Sequence, residues 1–67
     1  MMQEYDTIVL KLPLAGASIP VGTKGVILMV FESPSKAYEV EFVDSAYKSL
    51  GTFTVKEDQI EASDMTT

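Results

Sequence analysis

Seven residues near the middle of the chain, Ala37-Tyr38-Glu39-Val40-Glu41-Phe42-Val43, alternate strictly. Tyr38, Val40 and Phe42 fall on one side, Glu39 and Glu41 on the other. A period of two with aromatic and β-branched residues on one side describes a half-buried strand and fits no helix. This stretch is therefore expected to be the central strand of a small curled sheet. Its neighbours, Val26–Phe31 before it and Gly51–Val55 after it, are the natural partners.

Other segments fall into line around it. Thr7-Ile8-Val9-Leu10-Lys11-Leu12 is β-branched and stops at Pro13, which cannot donate to a ladder. Alternation sends Ile8, Leu10 and Leu12 inward. Residues 13–22 carry two prolines and two glycines, which exclude a helix, yet also Leu14, Ile19 and Val21. Such a loop is expected to fold back over an open end or side of the sheet, with a tight turn at Pro20-Val21-Gly22-Thr23. Val26-Ile27-Leu28-Met29-Val30-Phe31 is unbroken apolar, so both of its faces want cover. Either the proline loop lies on its outer face, or that face meets another molecule. Glu32–Lys36 is a polar turn, Asp44–Gly51 a loop, and Thr52–Val55 a further alternating strand with Phe53 and Val55 inward. Lys56–Gln59 suits one turn of 3-10 helix, and Ile60 with Ala62 a short last strand beside the first. The fold class expected is all-β: a small five-stranded SH3-like barrel with a long proline-containing loop after its first strand and a 3-10 turn before its last. An open meander is the alternative. Residues 1–62 make one domain and 63–67 a flexible tail.

At 67 residues the core is thin, because a chain of this size buries only about 60% of its unfolded surface. Cysteine is absent, so neither a disulfide framework nor a thiolate metal site is open to it, and a reducing compartment is favoured. Ten acids face five lysines, with no arginine, for a net charge of −5. Nucleic acids and anionic membrane surfaces call for the opposite balance. The acidic start, Met1–Asp6, has neither the basic start nor the apolar core of a secretion signal, and no apolar run reaches membrane-spanning length. A cytoplasmic protein is expected.

The order of residues also resembles a known family. Asp6-Thr7-Ile8-Val9-Leu10 is followed by a proline-containing loop, by Val21-Gly22-Thr23-Lys24-Gly25-Val26-Ile27, by the Ala37–Val43 strand, and by a late Val55 and Gln59-Ile60. The Gly-x-x-Gly-Val-Ile start and the Tyr-Glu-Val-Glu-Phe strand are its most specific parts. Together, from Asp6 to Ile60, they resemble a family of short bacterial proteins, frequent in cyanobacteria, known as a domain of unknown function with an SH3-like barrel. The resemblance implies a fold and no activity. Ser45–Leu50 departs from it, standing where a shorter acidic or glycine-bearing turn is usual. A loop of altered character is where individual function sits.

Candidate chemistry is sparse. With no histidine, the commonest general base is missing, and no serine has a histidine to activate it. Gly22-Thr23-Lys24-Gly25 lacks the spacing and the following helix of a phosphate loop. Glu39 and Glu41, roughly 7 Å apart by strand rise, are the best carboxylate pair for a cation or a sugar; the plainer reading is a solvated strand face. No cofactor and no metal are expected. True SH3 domains bind proline-rich peptides through grooves that normally include tryptophan, which is absent. Tyr47, in a polar loop, is the aromatic expected at the surface. The chain is therefore expected to be a non-enzymatic protein–protein interaction module of accessory, regulatory, antitoxin or immunity-like kind. The alternative is a homo-oligomer associating through the Val26–Phe31 face. Met29, Phe31, Tyr47 and Leu50 are the candidate interface residues.

Overall fold

A computed structural model describes residues 2–63. Five strands run in chain order: β1 (Thr7–Leu10), β2 (Lys24–Phe31), β3 (Ala37–Val43), β4 (Ser49–Lys56) and β5 (Ile60–Ala62), with a 3-10 turn at Glu57–Gln59 before the last. They form one open antiparallel sheet in the order β4-β3-β2-β1-β5. The alternating strand β3 is paired on both sides, to β2 and β4. Its Tyr38, Val40 and Phe42 are fully buried, while Glu39 and Glu41 look outward.

Burial is confined to one face. Ile8, Leu10, Ile27, Tyr38, Val40, Phe42, Val55 and Ile60 make the core, with Val30 and Phe53 packed against it. Phe53 meets Phe42 in a tilted pair with ring centroids 6.0 Å apart. Gly25 is buried opposite Phe42 because nothing larger fits; a Cβ there would lie 2.7 Å from Val40 Cγ1.

The proline loop closes over this inner face. Ile19 joins the core, and Leu14 and Ala17 pack on it. The loop ends in the tight turn Pro20–Thr23, where the Thr23 amide donates to the Pro20 carbonyl (3.1 Å) and Gly22 takes φ +96°. The outer face of β2 is accordingly not under this loop, contrary to the first of the two arrangements its sequence allows. Leu12 also departs from expectation. Strand β1 ends at Leu10, the amides of Lys11 and Leu12 turn to the Gln59 carbonyl, and Leu12 is exposed.

Two bulges shape the sheet. Between Ile27 and Met29 the register with β3 slips by one residue, leaving Leu28 unpaired. Val30 then turns toward the core beside Tyr38, and Leu28 and Met29 are both exposed. In β4, Leu50 is the extra residue between Ser49, paired with Val43, and Gly51, paired with Phe42. Strand β4 is thus longer than the expected Thr52–Val55. The expected tail, residues 63–67, lies outside the described residues except for Ser63, whose amide still donates to Thr7 (2.9 Å).

Candidate functional site

The four candidate interface residues are all exposed, and the fold sorts them into two patches. Met29 and Phe31, at 49% and 37% exposure, belong to the outer face of β2. Leu28 joins them at 37%. The register sets Met29 opposite Glu39, Val26 opposite Glu41 and Phe31 opposite Ala37. Across β3, Glu39 faces Thr54 and Glu41 faces Thr52. The Thr54 hydroxyl donates to Glu39 Oε1 at 2.8 Å and holds that carboxylate in place. This face is therefore an apolar band on β2, a carboxylate row on β3 and a threonine row on β4.

Tyr47 and Leu50 form the second patch, at the opposite end of the β2–β3 pair, roughly 20 Å away by strand rise. Asp44 builds the β3–β4 hairpin here. Its Oδ1 accepts from the Ala46 amide (2.8 Å) and the Lys48 amide (3.0 Å), while its carbonyl accepts from Tyr47 (2.9 Å). Tyr47 takes φ +63° and is 76% exposed. A left-handed backbone is uncommon for a bulky side chain, so the hairpin carries strain where it displays its ring. Between this hairpin and the Pro20–Lys24 turn lies an open groove of about 470 Å³, lined by Tyr47, Leu50, Val43 and Lys24 among others.

Among the described residues, no three acidic side chains gather as a metal site would need, and Glu39 and Glu41 have no third ligand beside them. The titration of Tyr38 is perturbed. Burial, aided by Glu57 and then Glu32, holds its phenol above the ordinary tyrosine value of 10.0. Its hydroxyl has no hydrogen-bond partner among the described residues. A neutral, enclosed phenol is neither a nucleophile nor a base. No helix among the described residues is long and apolar enough to cross a membrane.

Sequence reasoning did not single out Leu28 or the groove-lining turn residues. Leu28 lay inside an all-apolar run with no alternation to mark it. The groove joins residues from two distant segments, which no local pattern records.

A family model, the domain of unknown function DUF4926, matches residues 4–62. No curated protein and no solved structure matches the chain significantly.

Proposed function

Since the chain belongs to the DUF4926 family, whose description carries no activity, we propose from its own surface that it is a non-enzymatic protein–protein interaction module. The observation that carries this reading is the uncovered outer face of β2, where Leu28, Met29 and Phe31 stand exposed side by side along one strand. Large apolar side chains gathered on a sheet face and rimmed by polar residues mark an interaction surface. The exposed Tyr47 at the other end of the sheet is a typical interface anchor.

We take the fold to be an SH3-like barrel of bacterial type. The strand order β4-β3-β2-β1-β5 and the 3-10 turn ahead of the last strand support this. The cysteine-free, acidic sequence supports a reducing, cytoplasmic setting and no nucleic-acid partner. Small size and acidity fit an accessory or regulatory partner, of the kind an antitoxin or immunity protein provides. A second reading, a homo-oligomer joined through the same Val26–Phe31 face, draws on the same exposed side chains.

Affinity capture from native lysate, run beside light scattering of the pure protein, tests both. The expected result is a monomer that retains a stoichiometric partner, lost on Met29→Glu. A dimer that Met29→Glu dissociates favours the second reading. A monomer that retains nothing overturns both.

A further inference from the structure

We propose that the outer face of β2 and β3 docks a basic amphipathic helical segment of another protein, its leucine-like side chains on Leu28, Met29 and Phe31 and its lysines or arginines on Glu39 and Glu41. This rests on the interaction reading above and adds the chemistry of the partner. The apolar half is made by the bulge. Without the one-residue slip after Ile27, Met29 would point into the core and Val30 outward; with it, two consecutive large apolar residues share the outer side.

Charge decides the occupant. The cross-strand neighbours of Glu39 are Met29 and Thr54, and those of Glu41 are Val26 and Thr52; none is cationic. Lysines on this face stand only at the ends of β3, with Lys24 opposite Val43 and Lys56 opposite Ala37. The centre is therefore acidic, in a chain of net charge −5, and complements a basic partner. A second copy fits poorly. A two-fold axis running across the strands of this face would bring Glu39 and Glu41 of one chain against the same glutamates of the other. The two carboxylates, roughly 7 Å apart along the strand, match cations at i and i+4 of a helix, about one turn apart.

The test is an amide NMR titration of the full chain with a short helical Leu/Lys peptide bearing lysines at i and i+4, beside the same peptide with glutamate for lysine. Expected are shifts centred on Val26, Met29, Phe31, Glu39 and Glu41, from the lysine peptide only, weakening as salt rises. Glu39→Gln with Glu41→Gln, which leaves the fold's amide pattern intact, is expected to weaken binding about fivefold, from two exposed ion pairs. Shifts spread over the surface or centred on Tyr47 and Leu50, or equal affinity in the double variant, would overturn the inference. A lysate partner that the double variant still captures at full strength would likewise sink the basic-segment claim while sparing the interaction reading. Failure of both peptide and lysate to bind removes the two together.

Discussion

Tyr38 and Tyr47 show how differently one residue type is used within a single small sheet. Tyr38 is buried with its hydroxyl unpartnered among the described residues, a cost of about 1–3 kcal/mol for an isolated buried polar group. Tyr38→Phe should therefore leave stability near pH ~7 unchanged or raise it by about 1 kcal/mol; a loss of that size in urea melts would contradict the assignment. The sign of its pH dependence follows from the raised phenol. The folded state keeps its proton at pH values where the unfolded state releases it. The stabilising effect is complete below the ordinary value of 10.0 and is lost as pH rises toward the higher folded value. Wild type should lose more stability than Tyr38→Phe between pH ~8 and ~11. Tyr47 is the reverse case, exposed and held at φ +63°. Tyr47→Gly removes left-handed strain and should raise stability by about 1 kcal/mol, read as a higher urea midpoint. A lower midpoint would mean the ring is held by packing.

Strand β2 is the element that sets the character of the molecule, and it is also where the sequence was least readable. In β3 the alternation of Tyr38, Val40 and Phe42 with Glu39 and Glu41 left only one orientation, and that orientation is observed. Ile8, Leu10, Val55 and Ile60 were legible for the same reason. Val26–Phe31 is apolar at every position, so a slip of one residue costs no burial pattern and leaves no trace in the letters. The bulge at Leu28 is fixed instead by tertiary pairing, with Ile27 held to Val40 and Val30 brought beside Tyr38. Its consequence is measurable. Val30→Ser should destabilise by more than about 1 kcal/mol, whereas Met29→Ser should change stability by less than about 0.5 kcal/mol. Equal or reversed effects in thermal melts would restore plain alternation. Of the candidate interface residues, Tyr47 was legible as a surface ring from its polar loop; the exposure of Met29 and Phe31 was not, because an unbroken apolar run leaves open what covers it, and neither was the division of the four between two ends of the sheet. That division depends on which strand end each hairpin occupies.

For the molecule as a whole, one sheet and one loop enclose a single thin core. The radius of gyration is 11.0 Å, about what a close-packed chain of this length has. The proline loop completes the inner face through Ile19, with Leu14 and Ala17 packed beside it. Ile19→Ala should accordingly cost about 2 kcal/mol or more. That is a large share of the few kcal/mol available to so small a domain, and it would appear as a marked fall in melting temperature; a fall of less than about 4 °C, the least expected for 1 kcal/mol, would mean the loop is not part of the core. The sheet is thus covered on one side and open on the other, and the open side is the claimed working surface. Hydroxyl-radical footprinting of the tagged chain, in buffer and then in native lysate, tests this most directly. Met29 and Phe31 should be oxidised readily in buffer, with Tyr38 and Phe42 shielded, and lysate should selectively protect Met29 and Phe31. Met29 and Phe31 already shielded in buffer, or oxidised equally in both, would contradict that claim.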